Sequence, residues 1–193
     1  MRAVVLVEGI SDQIAVQALA AHLGRDLAAE GVSVVPMGGA HAIGRFLTQF
    51  GPQGENLRLA GLYDAGEESV VSRALQRAGF GSSPLTRAQL EELGFYACVE
   101  DLEDELIRAL GSSSVEEIIA AEGELGSFRT LQKQQAWRGQ STEAQLRRFL
   151  GNARRKSSYA RLLVDVLEPA DIPRPLHQLL AHLTGSSRRS TDD

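Results

Sequence analysis

The chain opens with an unbroken apolar run, Ala3-Val4-Val5-Leu6-Val7, that stops at Glu8. A continuous, valine-rich run predicts a strand buried on both faces, as in a parallel sheet. The period then changes. Ile14, Ala18 and Leu19 share one helical face, which predicts a helix over 11–23 with Ser11 as N-cap, Asp12 in the first turn and Gly24 at the end. Val32-Ser33-Val34-Val35 reads as a second strand, closed by Pro36 and the Gly38-Gly39 pair. Ile43, Phe46, Leu47 and Phe50 recur at helical spacing over 41–50, and Gly51-Pro52 stops that helix. Leu57 to Tyr63 is a third strand running into Asp64. Phe95 to Val99 is a fourth, followed by a helix over 101–110, and Ser114-Val115-Glu116-Glu117 has the form of a capping box that opens another. From residue 128 onward the pattern is helical, over 128–138, 142–150, 157–168 and 174–184.

Two strand–helix–strand units in succession predict an α/β fold, with a parallel sheet of about four strands flanked by helices. The expected organisation is an α/β core over 1–127, a basic helical extension over 128–184 packed on that core, and a disordered tail over 185–193, a stretch without large apolar side chains.

A chain of 193 residues with 43% hydrophobic content suits one compact unit. Cys98, the one cysteine, lies in an apolar run and has no partner for an internal disulfide, so a buried thiol in a reducing cytoplasm is expected. Glu8 interrupts the first apolar stretch too early for a signal-peptide core, and no segment approaches the ~18 apolar residues of a membrane span. Charge is uneven. Residues 1–127 carry 8 Lys+Arg against 19 Asp+Glu, a balance of −11, whereas residues 128–193 carry 12 against 6, a balance of +6. An acidic metal-holding part beside a basic part facing a polyanion fits this asymmetry, and so do ordinary solvated helix faces.

The carboxylates that follow apolar strands carry the chemistry. A charge at the end of a buried strand costs several kcal/mol unless something pairs with it. Glu8 follows the first strand with Asp12 four residues on, Asp64 follows the third, and Asp101 and Glu103 follow the fourth. If strands one, three and four are neighbours, these groups converge at the carboxyl edge of the sheet, where ligands bind in such folds. Oxygen ligands without clustered Cys or His point to Mg²⁺ or Mn²⁺, one or two ions, rather than zinc. Taken singly, Asp12 is also a good helix-start residue, Asp101 a good N-cap, and Glu67, Glu68, Glu91 and Glu92 good solvated helix faces. Gly38-Gly39-Ala40-His41 reads as a turn before a helix, or as a phosphate-holding turn. Arg147, Arg148, Arg154, Arg155, Lys156 and Arg161 lie within 15 residues and form the candidate nucleic-acid contact, or else an exposed basic helix end. Trp137 and Tyr159 flank them as stacking or core residues.

Val7-Glu8-Gly9-Ile10-Ser11-Asp12 resembles the first element of a TOPRIM domain, and Leu62-Tyr63-Asp64-Ala65-Gly66 resembles the second, with Gly66 where a second aspartate is usual. Together with Asp101-Leu102-Glu103 and Arg154-Arg155-Lys156 ahead of an amphipathic helix, the chain is most similar to the TOPRIM domain of OLD-family (overcoming lysogenization defect) nucleases. The resemblance implies a Rossmann-like TOPRIM fold and metal-dependent cleavage of DNA, with Glu8, Asp64 and Lys156 catalytic. It implies that Glu8, Asp12 and Glu103 serve one metal, that Asp64 with Glu67 serves another, and that Lys156 stands near the scissile phosphate. No Gly-x-x-x-x-Gly-Lys-Ser/Thr run is present, so the expectation is a stand-alone nuclease or the partner of a separate ATPase. The alternatives are a degenerate module that binds nucleic acid or protein without cutting, and another TOPRIM chemistry such as RNA processing or nucleotidyl transfer.

Overall fold

The structure, a computed structural model, describes residues 2–81 and 84–185. Among them are four strands and nine α-helices. The first half alternates: β1 (Ala3–Val7), α1 (Ile10–His22), β2 (Val32–Pro36), α2 (Ile43–Phe50), β3 (Arg58–Asp64), α3 (Glu68–Arg77), α4 (Arg87–Glu92) and β4 (Phe95–Cys98). The rest is helical: α5 (Leu102–Ala121), α6 (Leu125–Lys133), α7 (Thr142–Leu150), α8 (Ala153–Asp165) and α9 (Arg174–Gly185).

All three strand pairings are parallel, and the sheet order is β2-β1-β3-β4. The alternation of β1 fixes the two layers. Ala3, Val5 and Val7 face a core built with α1, α5, α7, α8 and α9, whereas Val4 and Leu6 face a second core built with α2 and α3. The chain therefore leaves β1 toward one face and β3 toward the other. That divergence between neighbouring strands is a topological switch point, and it opens a crevice at their carboxyl ends. Leu6 pairs with Gly61 and Asp64 with Cys98, so Glu8, Asp64 and the start of α5 come to one edge.

Several expected boundaries shift. Helix α1 starts at Ile10, with Gly9 rather than Ser11 as its cap, because the Asp12 carboxylate reaches back to accept the Gly9 N–H at 2.8 Å. The span α5 is two helical segments that meet at Gly111, whose φ of +74° and ψ of 155° are non-helical, so the expected break between a helix over 101–110 and a following one is present, three residues before Ser114. Helix α6 ends at Lys133 rather than 138. The buried Gln145 amide instead donates to the Trp137 and Gln140 carbonyls and holds a turn there. Helix α8 starts at Ala153 rather than 157, capped by the Asn152 side chain on the Arg155 N–H. Arg154, Arg155 and Lys156 thus form its first turn instead of preceding it. Gly185 is the last residue of α9, and the rest of the tail expected to be disordered lies outside the described residues.

Candidate metal centre

Glu8 sits where β1 gives out. Its carbonyl accepts hydrogen bonds from the Gly38 and Gly39 N–H groups, at 2.9 and 3.1 Å. Those two residues have φ values of +77° and +114°, a path open to glycine and strained for other side chains, so the loop after β2 clamps the Glu8 backbone. Its side chain points into a cleft of about 310 Å³, also lined by Asp12, Asp64, Asp101, Glu103 and Lys156. Glu8 Oε2 is buried and has no hydrogen-bond partner.

Burial and crowding set the electrostatics. Desolvation raises the Glu8 pKa first, and the charges of Glu67, Glu103 and Asp101 add to it while Lys156 opposes them. Asp12 is pushed up to about 6, mainly by burial and then by Glu103 and Glu8, against the lowering effect of the Gly9 hydrogen bond. Asp64 is pushed up to about 7 by burial, then by Glu8, Asp101 and Asp12. Each shift says that the site carries more negative charge than its environment supports.

Two cations from the helical half answer part of that charge. Lys156 on α8 donates to the buried Glu103 at 3.0 Å and stands 4.0 Å from Asp101. Burial lowers the Lys156 pKa, but the neighbouring carboxylates outweigh it and hold the amine above its ordinary value. Arg147 on α7 donates to Asp101 Oδ2 at 3.1 and 3.2 Å and to Glu100 at 3.1 Å. Asp101 also caps α5, its other oxygen accepting the Asp104 N–H.

Glu8, Asp12, Asp64, Glu103 and Lys156 therefore meet in one cleft. Glu67 stands apart from its lining, in the short 3₁₀ turn Ala65–Glu67, yet it is the charge that acts most strongly on Glu8. Glu68 is committed elsewhere, to Arg87 at 2.6 Å, and Gly66 faces open space. The remaining basic residues spread out. Arg155 pairs with Glu124 at 2.6 Å and covers the Phe149 ring, Arg148 lies over Trp137, Arg161 pairs with Asp165 on an exposed face, and Arg154 is exposed. Tyr159 is core.

The sequence does not announce the partnership of Asp101 with Arg147, since 46 residues separate them. An acid after a strand and a basic helix end are both visible, but nothing local joins them.

A cation suits this cleft. Its titratable lining supplies carboxylate oxygens and one amine, with no His or Cys, a donor set for a hard divalent ion. The buried Glu8 oxygen has no hydrogen-bond partner to offset its charge. Among the described residues no group of three or more Asp, Glu, His or Cys side chains is placed to hold a metal ion, and Lys156 and Arg147 pair with Glu103 and Asp101 instead.

A parallel sheet in the order β2-β1-β3-β4, with a glutamate just after β1 and an aspartate ending β3, has the fold of a TOPRIM domain. More specifically, residues 1–58 match the family model of the overcoming lysogenization defect protein-like TOPRIM domain. Solved structures extend the likeness over nearly the whole chain. The C-terminal region of the Xanthomonas campestris pv. campestris OLD protein is 22% identical, with 96% of this chain and 95% of that one covered and a TM-score of 0.72. The C-terminal region of the Burkholderia pseudomallei OLD protein is 20% identical, with 96% and 98% covered and the same TM-score of 0.72. No curated protein matches the chain. TOPRIM domains generally bind divalent metals, and those of OLD proteins are generally nuclease-like.

Proposed function

We propose that the chain is a divalent-metal-dependent DNA endonuclease module of OLD type. One observation carries the reading: the buried, unpartnered oxygen of Glu8 lies in a cleft with two aspartates whose pKa values are pushed up to about 6 and 7. Three acids held at such cost at a switch point are a site short of positive charge.

Glu8, Asp12 and Glu103 hold one ion in this reading, and Asp64 with Glu67 holds the second. A bound Mg²⁺ or Mn²⁺ supplies Lewis-acid charge and lowers the pKa of the attacking water. Glu8 and Asp64, on neighbouring strands, would hold the ions whose charge offsets that of the scissile phosphate. Lys156 leaves Glu103 and donates to the charge that develops on the phosphate or the departing oxygen. Arg147 pairs with Asp101 and offsets part of its charge. DNA is the substrate, and an ATPase, if the activity uses one, comes from outside these 193 residues. No helix among the described residues is long and apolar enough to cross a membrane.

Plasmid nicking in Mn²⁺ tests this. Glu8→Ala should lose at least about 100-fold in rate, on the scale of losing a principal charge-stabilising group. Equal nicking by both proteins overturns the proposal. Gly66 favours one other reading, a module that has lost its second metal and binds without cutting. It predicts DNA binding with no cleavage in any divalent ion.

A further inference from the structure

On the face of the sheet opposite α8, helices α2 and α3 leave a groove of about 650 Å³ between them. Its polar wall consists of His41, Thr48, Gln53, Arg73 and Arg77, and the rest is aliphatic apart from Gly44. No carboxylate lines it among the described residues. That composition runs against its surroundings, because residues 1–127 carry a balance of −11. Arg25, Arg87 and Arg108 in the same part of the chain each rest on a carboxylate, while Arg45 and Arg58 donate to backbone carbonyls instead. Arg73 and Arg77 form no ion pair among the described residues, and Arg73 makes only a long contact to the Ser69 hydroxyl.

Gly44 is the second observation. It is the second residue of α2, in the first turn of the helix. Neither of the usual reasons for a glycine applies: its φ is not positive, and a Cβ built there would meet nothing within 4 Å. Position 44 faces open space on the groove wall, so a longer side chain placed there would enter the groove.

We propose that this groove is a track for a single nucleic-acid strand, with Arg73 and Arg77 on its phosphates, a proposal that rests on the nuclease reading above. Residues four apart on a helix stand about 6 Å from one another on the same face, a spacing that suits successive phosphates of one strand. The wall has no Phe, Tyr or Trp, and its one aromatic ring is the His41 imidazole, so the contact follows the backbone more than the bases. The groove also joins the metal edge. His41 lies in the turn directly after Gly38-Gly39, the pair that donates to the Glu8 carbonyl, and α3 follows directly from the Asp64 turn. A strand lying in the groove is thereby led toward the cleft.

The test is fluorescence anisotropy with a labelled single-stranded oligonucleotide of roughly 16 nucleotides, in EDTA so that binding is read without cleavage. R73E/R77E should weaken binding about 10-fold or more and flatten the log-affinity against log-salt slope by about 1.4, roughly 0.7 for each phosphate no longer neutralised. Gly44→Glu places a carboxylate in the groove while improving the helix. It should weaken binding to a similar degree with an unchanged or higher Tm, whereas Gly44→Ala should bind as wild type. Wild-type affinity in either R73E/R77E or Gly44→Glu overturns the proposal. The two readings fail separately. Mn²⁺-dependent nicking with unaltered groove-variant binding removes the groove and spares the nuclease. Weakened binding in a protein that never cuts does the reverse.

Discussion

The acidic cleft and the α2–α3 groove meet the same edge of the sheet from opposite faces, and charge is handled differently in each. The cleft packs five carboxylates around about 310 Å³, and the chain commits Lys156 and Arg147 to them. The groove is larger, about 650 Å³, holds two arginines, and commits no acid to them. A charge already satisfied from within the chain is closed to a ligand until something displaces its partner. A charge left free can be engaged at once. On that difference, the cleft is gated by its own counter-ions, whereas the groove is open.

The largest effect that would sharpen this contrast is in the cleft. Lys156→Ala leaves the buried Glu103 without its partner, and the apoprotein should lose about 2 kcal/mol, below the roughly 3–5 kcal/mol of a fully buried pair because Lys156 is partly exposed. Urea unfolding in EDTA measures it.

A smaller effect is the dependence on pH. Asp12 and Asp64 titrate at about 6 and 7 in the fold, against ordinary values of 3.8. Between the unfolded and folded values the native chain holds protons that the unfolded chain has released. Protonation therefore stabilises the fold, and this contribution is lost as pH rises through about 7. The apoprotein Tm should fall between about pH 5 and about pH 8 more steeply in wild type than in Asp64→Asn. Parallel curves would mean that Asp64 is not under strain. Added Mn²⁺ should recover the loss at the upper end.

The smallest effect is expected in the groove. Arg77→Ala should change stability by no more than about 0.5 kcal/mol, since no ion pair is removed. A cost equal to that of Lys156→Ala would erase the distinction between the two regions.

Much of this is readable in the sequence where the signal is local. The run Ala3–Val7 ending in Glu8, and Leu57–Tyr63 ending in Asp64, locate both strands and both acids, because a buried parallel strand needs only its own apolar residues to announce itself. The first turn of α8 escapes the pattern because it is polar, Arg154-Arg155-Lys156, and the apolar spacing begins only at Tyr159. Asn152, a good N-cap, is the signal that marks it. Helices α3 and α4 lie in a stretch where only the acids Glu67, Glu68, Glu91 and Glu92 read as helix faces, although Val70, Val71, Ala74 and Leu75 of α3 recur at helical spacing and pack against the sheet. The Lys156–Glu103 pair spans 53 residues, and only the packing of α8 beside α5 creates it.

Asp101 serves two masters. One of its oxygens closes the start of α5 and the other anchors Arg147 of α7, while its charge is felt at Glu8 and Asp64. Architecture and chemistry share a single side chain there, so an alanine scan would report a loosened scaffold as though it were impaired function. Asparagine, which can keep the cap while giving up the charge, separates the two. Position 101 is a place where the choice of substitute, more than the choice of site, decides what an experiment means.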